Sequence, residues 1–146
     1  MPVQEVGWLQ EPTTRKEREM ASNIDDIFAV DNPILYILSD SRGETALAVV
    51  YAAAAQFPDD AVEIERISNI GDVETVCEYF DEHYNSGRLC AVFHTFADGT
   101  LRREIRRELD RRGIPSIDLL GPAVTVISTL TGIAPSHEVG AVYRKK

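Results

Sequence analysis

The sequence is poor in the residues that build disulfide frameworks, metal centres and membrane spans. Only two cysteines occur in 146 residues, Cys77 and Cys90, and their spacing matches no common metal-binding pattern. No run of about eighteen apolar residues is present, so no segment is predicted to cross a membrane. We therefore expect a reduced, cytoplasmic protein without a metal site, in which the chain is long enough to bury its own core.

Positive charge is also scarce. Lysine and arginine total 15 against 24 acidic residues, which leaves a net charge of -9 and argues against binding to nucleic acid or to an anionic membrane. Residues 57–85 hold nine acidic residues and one arginine, whereas residues 98–112 hold six arginines and four acidic residues. We interpret these arginines as solvated side chains paired with acidic neighbours on one helix. The opposite charge of the two segments could also support a homodimer.

The chain divides by composition into three parts. Residues 1–33 are polar and aperiodic and contain three prolines, which is typical of a flexible tail with at most a short helix near 14–21. A second interpretation places the biological start at Met20. Apolar periodicity begins at residue 34, so we assign an α/β domain to 34–132. Residues 133–146 form either a C-terminal tail or the start of a second domain.

Within the domain, short apolar runs alternate four times with helical periodicity. The predicted strands cover 34–38, 61–67, 89–95 and 115–120. The predicted helices cover the apolar positions from Ala46 to Phe57, then 72–87 with Asp72 as N-cap and Gly87 after the last turn, 98–113, and 121–132. Strict alternation predicts a doubly wound, four-stranded and mostly parallel sheet with helices on both faces, in the probable strand order 2-1-3-4.

Candidate binding residues follow from that topology, because ligands of open α/β sheets bind beyond the carboxyl ends of the strands. The turn after the first strand combines hydroxyl groups, an arginine and the amino end of a helix, which together suit a phosphate or carboxylate. The end of the third strand faces the same crevice under the predicted order. The candidate anion- or substrate-binding residues are Ser39, Asp40, Ser41, Arg42, Gly43, Glu44, Thr45, His94 and Thr95.

Structural alternatives exist for the same residues. Ser41 and Glu44 have the spacing of a capping box at the start of a helix, and His94 could simply be hydrogen-bonded to a neighbouring loop. The alanine run 52–55 is most simply a tightly packed helix face. No Gly-x-Ser-x-Gly elbow, no Cys-x5-Arg loop and no glycine-rich nucleotide motif occurs, so no catalytic residue is identified.

Two segments of the sequence carry a more specific resemblance than the composition does. ILYILSDSRGETALAVVYAAAAQFP and LCAVFHTFADGTLRREIRRELDRRGIPSIDLLGPAV together resemble the amino-terminal half of the bacterial regulatory proteins of pyruvate, phosphate dikinase and phosphoenolpyruvate synthase. The resemblance covers roughly residues 34–136. Its marks are Ser39-Asp40-Ser41, Gly43-Glu44-Thr45, Phe93-His94-Thr95, Asp98, the run from Asp118 to Pro122, and Pro135-Ser136.

The resemblance implies a bifunctional phosphotransferase that controls one of those two target enzymes. Members of the family phosphorylate a threonine of the target with ADP as donor, and they remove the phosphate by phosphorolysis with inorganic phosphate. The resemblance therefore implies ADP or ATP and phosphate as cofactors, and no metal site within this chain. Arg42 stands where the family usually has a small hydroxyl residue, which could alter an anion pocket.

A second departure concerns the nucleotide. The family carries a P-loop in its carboxy-terminal half, and no Gly-x4-Gly-Lys-Ser/Thr loop occurs in residues 1–146. The chain is thus expected to be a fragment of a longer protein, a degenerate paralogue or one subunit's worth of scaffold, and not to transfer phosphate from ADP by itself. The alternative function is a non-catalytic α/β module that binds a phosphate, a nucleotide or a protein partner.

Overall fold

Four strands and five helices alternate along residues 32–84 and 87–144, which are the residues that the computed structural model of the chain describes. The strands are β1 (Ile34–Ser39), β2 (Glu63–Ile67), β3 (Cys90–Thr95) and β4 (Ser116–Asp118). The helices are α1 (Glu44–Ala54), α2 (Val73–His83), α3 (Gly99–Arg111), α4 (Gly121–Thr131) and α5 (Ala141–Arg144). The tail predicted over 1–33, with its short helix, lies outside the described residues apart from Asn32 and Pro33.

All four strands are parallel and lie in the order β2-β1-β3-β4, which confirms the predicted topology. A helix follows each of the first three strands and returns the chain to the same end of the sheet, as parallel pairing requires. The two central strands pair so that Ser39 lies opposite Thr95. The predicted candidate turn and the end of the third strand therefore meet at one edge of the sheet.

Alternating side chains of the central strands form a core on each face of the sheet. Ile34, Tyr36 and Leu38 of β1 face a large cluster built with α2 and α3. Ile37 faces a smaller cluster built with Ala46 and Val50 of α1. Both faces of β1 are buried, so its successive residues are nearly all apolar, and this continuous apolar run is the pattern from which the strand was predicted.

Side-chain caps begin two helices at the predicted residues. Asp72 accepts a hydrogen bond from the Thr75 N–H at 2.9 Å at the start of α2. Asp98 accepts hydrogen bonds from the N–H groups of Thr100 and Leu101 at the start of α3. Each cap satisfies amide groups that the helix itself leaves unbonded, so the two aspartates determine where these helices begin.

The predicted ends of two helices were wrong because the apolar pattern extended beyond the core contacts. Helix α2 ends at His83 instead of near Gly87, since Phe80 is its last buried residue. Helix α1 ends at Ala54, and Phe57 is 64% exposed. The alanine run 52–55, predicted as a packed face, is mostly exposed. At the last strand, β4 spans only three residues because Asp118 turns the chain into α4.

The acidic and basic segments meet within one chain. The Arg112 guanidinium lies 2.8 Å from the Asp81 carboxylate across α2 and α3, and it also binds Glu108 on its own helix at 2.6 Å. Hydrogen bonds from Arg111 and Arg112 lower the pKa of Glu108 to about 2. The predicted pairing of arginines with acidic neighbours is therefore confirmed at Glu108, and part of the charge asymmetry is compensated internally. Among the described residues no helix combines the length and apolarity needed to span a bilayer.

Candidate functional site

A cavity of about 350 Å³ opens at the carboxyl ends of β1 and β3. Its lining comes from the β1–α1 turn, the start of the β3–α3 turn, the first turn of α3, the start of α4 at Leu120 and Val124, and the chain between 135 and 143. Seven of the nine predicted site residues are part of this lining: Ser39, Asp40, Ser41, Gly43, Glu44, Thr45 and Thr95. The predicted crevice at the edge of the sheet is thus present as a cavity large enough for a phosphate group and the atoms attached to it.

The β1–α1 turn presents an uncapped helix to the cavity. Gly43 occupies the N-cap position with a φ of 80°, and no side chain caps α1. The capping box predicted for Ser41 and Glu44 was wrong, because the helix begins one residue after Gly43 and Ser41 lies outside its first turn. The Ser41 N–H instead donates to Ser39 Oγ at 3.0 Å. The first N–H groups of α1 and the positive end of its dipole therefore face the cavity without a side-chain acceptor.

The β2–α2 loop is hydrogen-bonded to the β1–α1 turn through the backbone. The Asn69 N–H donates to the Ser41 carbonyl at 2.8 Å, and the Ile70 N–H donates to the Ser39 carbonyl at 3.0 Å. Asn69 adopts a left-handed conformation with a φ of 56° to make this connection. Two backbone hydrogen bonds between neighbouring loops thus hold the backbone that carries the hydroxyl groups of the cavity wall.

Asp40 joins the two turns that form the cavity floor. Its side chain lines the cavity, the residue is only 9% exposed, and its Oδ2 accepts a hydrogen bond from the Asp98 N–H at 3.0 Å. Burial raises the pKa of Asp40, although the N–H groups of Asp98, Ala97 and Asp40 itself act in the opposite direction. A carboxyl group held in this way is more easily protonated than an exposed one.

Replacing Asp40 with asparagine is expected to stabilise the fold near neutral pH. A raised native pKa means that the stabilising contribution of Asp40 is complete below its unfolded pKa and is lost as the pH rises through the native value. Asparagine retains an oxygen for the Asp98 N–H and removes that loss, so at pH 7 Asp40→Asn should gain up to about 1.4 kcal/mol for each unit of pKa elevation. Urea unfolding from pH 4 to pH 7 measures this difference.

The control for this substitution is Asp59→Asn at an exposed aspartate. Its free energy of unfolding, measured over the same pH range, shows the effect of the same substitution at the surface. If Asp40→Asn were less stable than the wild-type protein at every pH by a constant amount, the carboxylate would be stabilising and its burial would carry no cost.

His94 does not line the cavity. Its ring is 1% exposed on the opposite face of the sheet, beneath α3, and neither ring nitrogen has a hydrogen-bond partner in the described part of the chain. Nδ1 lies 4.0 Å from Asp118 Oδ1, and Arg102 Nε lies 3.7 Å from Asp118 Oδ2. Burial lowers the pKa of His94, with Arg106 and Arg102 acting in the same direction and Asp118 against them. The predicted loop hydrogen bond to this ring is absent from residues 32–84 and 87–144.

Arg42 also lies away from the cavity lining. Its guanidinium stacks on the Tyr143 ring, with Cζ 4.1 Å from the ring centroid, and its side chain is 63% exposed. Tyr143 itself lines the cavity, so Arg42 supports one wall from outside instead of contributing a positive charge to the interior. The departure at this position therefore affects how the C-terminal segment is held.

The C-terminal segment was not predicted to contribute to the site. His137 Nδ1 lies 3.1 Å from the Ala97 carbonyl oxygen and so joins this segment to the β3–α3 turn. Gly99 leaves room for the contact, since a β-carbon there would lie 3.4 Å from His137 Cε1. No periodic pattern precedes Tyr143, and its stacking on Arg42 depends on how the chain folds back. The sequence therefore carried no local pattern for the position of Tyr143, although the Pro135-Ser136 mark of the resemblance lies in the same wall of the cavity.

Arg102 is a further lining residue that sequence reasoning placed on a solvated helix face. It lies in the first turn of α3, directly after the β3–α3 turn, and its side chain is 25% exposed. The signal was available: the first turn of a helix that follows a central strand lies at the same edge of the sheet as the end of that strand. Within 32–84 and 87–144, no three His, Cys, Asp or Glu side chains are grouped as a metal ion would need.

Comparisons with known proteins agree with the motifs. A family model described as kinase/pyrophosphorylase matches residues 35–146, a range that contains every lining residue of the cavity. A protein of Halalkalibacterium halodurans named pyruvate, phosphate dikinase regulatory protein is 36% identical over 112 residues, which are 77% of this chain and 41% of the relative.

A second relative, from Syntrophomonas wolfei subsp. wolfei, is named pyruvate, phosphate dikinase regulatory protein 2. It is 35% identical over 108 residues, which are 74% of this chain and 39% of that protein. The chain thus spans about two-fifths of the length of these two relatives. The family model covers well over half of the chain, in agreement with the resemblance seen in the sequence, and the chain belongs to the kinase/pyrophosphorylase family.

Proposed function

We propose that this chain forms the target-recognition part of a regulatory phosphotransferase that acts on pyruvate, phosphate dikinase. The names of the two relatives support the target, and family membership supports the class of reaction. The observation that carries the proposal is the cavity beside the uncapped start of α1, because such a site suits a phosphorylated or hydroxyl-bearing side chain. Phosphoenolpyruvate synthase remains a second target by resemblance.

The cavity would bind the group that receives or loses phosphate. Hydroxyl groups of Ser41, Thr45 and Thr95 line it, and the amino end of α1 supplies backbone donors. Phosphoryl transfer depends on donors that are already placed where negative charge develops on the transferred oxygens. We assign the binding of ADP or ATP to parts of the full-length protein outside residues 1–146, and we place the protein in the cytoplasm with its target.

Direct binding to the dikinase tests this proposal. Biolayer interferometry would compare the 146-residue chain with the unphosphorylated and the threonine-phosphorylated dikinase of the same organism. We expect binding to both forms, and Thr45→Val should weaken binding of the phosphorylated form about fivefold by removing one hydroxyl from the cavity. The matched control is Thr129→Val, an exposed threonine of α4 that does not line the cavity.

The controls define what would contradict the proposal. Thr129→Val should bind like the wild-type chain. If neither form of the dikinase binds to the wild-type chain, the proposed target is wrong. If both threonine variants weaken binding equally, the cavity is not the surface that recognises the target.

A non-catalytic binding module is the second candidate, and one observation favours it. General acid–base catalysis most often uses histidine, and the one histidine among the candidate site residues, His94, has a ring buried away from the cavity. Binding of the phosphorylated dikinase without any effect of the chain on phosphorylation or dephosphorylation by the full-length regulatory protein would support this candidate. Competition with the full-length protein would support the first.

A further inference from the structure

We infer that Arg102, oriented by Asp118, is the cationic residue that binds the anion in the cavity. This inference rests on the proposed function and assigns a ligand-binding role to a side chain that composition alone placed in solvent. The ligand class is an oxyanion with several oxygens, such as a phosphate group. Three observations carry the assignment: the position of Arg102, the contact that holds it, and the exclusion of Arg42.

Arg102 reaches the cavity from α3 and lies in its lining. Of the cavity-lining residues in the described part of the chain, Arg102 is the one lysine or arginine. Its side chain is 25% exposed, so a bound anion would meet a guanidinium that is already partly withdrawn from water. Charge-assisted hydrogen bonds in such surroundings are stronger than those between neutral groups.

Asp118 holds the guanidinium by one side only. Arg102 Nε lies 3.7 Å from Asp118 Oδ2, and the described residues offer Arg102 no closer polar partner. Oδ1 of the same carboxylate is occupied by the N–H groups of Leu120 and Gly121, at 3.0 and 2.7 Å. The carboxylate is thus fixed by the start of α4, and the terminal nitrogens of Arg102 remain available for a ligand.

Gly121 makes this arrangement sterically feasible. A β-carbon at position 121 would collide with Asp118 Oδ2, and it would lie 3.0 Å from Arg102 Nη1. The absence of a side chain there lets the carboxylate and the guanidinium pack side by side against the backbone. Asp118 is therefore a positioning residue, which acts on the ligand through Arg102.

The shape of the guanidinium favours a phosphate group over a single carboxylate. Its planar fork presents parallel N–H donors to two oxygens of one anion. A phosphate keeps further oxygens for the hydroxyl groups of Ser41 and Thr45, which also line the cavity, whereas a carboxylate has none left. The shared chemistry is that of a phosphate monoester or of free phosphate, and both sources enter the test.

The test is isothermal titration calorimetry on the full 146-residue chain with inorganic phosphate, O-phosphothreonine and acetate. Arg102→Gln should weaken binding of both phosphate ligands at least about tenfold, the loss typical of a hydrogen bond to a charged group. Arg102→Lys keeps the positive charge but lacks the planar guanidinium, so its affinity for phosphate should lie between those of the wild-type chain and Arg102→Gln. The matched control is Arg107→Gln on the exposed side of α3, which makes the same change of charge and should alter affinity less than about twofold.

Amide NMR spectra of each variant identify the site and verify folding. Phosphate should shift the Ser41–Thr45 amide signals of the wild-type chain and of Arg107→Gln, and much less those of Arg102→Gln. Equal affinity of Arg102→Gln and the wild-type chain would overturn the inference, and so would a wild-type chain that binds no phosphate or binds acetate equally well. None of these results alters dikinase binding by the wild-type chain, so failure of the inference and failure of the proposed function are distinguishable.

Discussion

Replacing Gly121 with alanine is expected to lower the free energy of unfolding by about 3 kcal/mol. Gly121 does not have a positive φ, so its backbone conformation is one that alanine accepts. The cost comes from the collision of the new methyl group with the Asp118 carboxylate, whose Cγ would lie 2.9 Å away. If Asp118 rotates to relieve the collision, it loses the N–H groups of Leu120 and Gly121 together with Arg102.

Urea unfolding of Gly121→Ala beside Gly71→Ala measures this effect. Gly71 is exposed, has no positive φ, and has no atom within 4 Å of the place where a β-carbon would lie. Gly71→Ala should therefore stabilise the chain by about 0.4–1 kcal/mol through the unfolded state. Two variants of equal stability would show that the Asp118 carboxylate moves at no cost, and that the start of α4 does not depend on it.

Below pH 6.5 the wild-type chain should lose stability faster than His94→Leu. Burial lowers the native pKa of His94, so the unfolded chain takes up a proton on this residue before the folded chain does. Stability therefore falls as the pH drops from the unfolded pKa towards the native one, with a limiting slope of about 1.4 kcal/mol per pH unit. Leucine removes the titrating group and two buried ring nitrogens without partners among the described residues.

The groups that face His94 decide how large this effect is. Asp118 of β4 favours the protonated ring, whereas Arg102 and Arg106 of α3 oppose it. Free energies of unfolding measured from pH 7.5 to pH 5 for the wild-type chain, His94→Leu and the control His83→Leu give the net effect of these groups on His94. His83 is exposed near the end of α2, so its variant shows the effect of removing a histidine side chain outside the buried cluster. Parallel curves for the wild-type chain and His94→Leu would mean that burial does not lower the native pKa of His94 below its value in the unfolded chain.

Both substitutions affect one cluster behind the cavity wall. His94, Asp118 and Arg102 lie on β3, β4 and α3, and the cluster connects the last strand of the sheet to the lining of the site. Asp40 is a second buried ionisable group, on the other side of the same edge. Buried ionisable groups that lower stability are typical of functional sites, because selection on stability alone would remove them.

The position of the site was predictable from residue order. Alternation of apolar strands with helices defines a parallel sheet, and the ends of neighbouring parallel strands meet at one edge. For this reason the polar residues after β1 and Thr95 after β3 were assigned to one crevice, and the structure places them around one cavity. The N-caps Asp72 and Asp98 could also be predicted from the sequence, because an N-cap depends only on residues within one helical turn.

Side-chain direction at the site was not predictable in the same way. The end of a strand carries side chains to both faces of the sheet, and His94 was assigned to the crevice although it points beneath α3. Arg42 was assigned to the interior, whereas its guanidinium stacks on the ring of Tyr143 in the C-terminal segment. Contacts between residues this far apart in the chain leave no local pattern.

The sequence by itself determined the alternating elements, the strand order, the edge of the sheet at which the cavity lies and the family, since each depends on periodicity or on short contiguous motifs. Only the tertiary structure decided which charged side chains reach the cavity. Arg102 lines it because Asp118 and Gly121 meet its guanidinium at the start of α4, whereas Arg42 stacks on a wall supplied by the C-terminal segment. The positions of both arginines depend on packing between segments that are distant in the chain. At Gly121 the absence of a side chain leaves room for the Asp118 carboxylate and the Arg102 guanidinium.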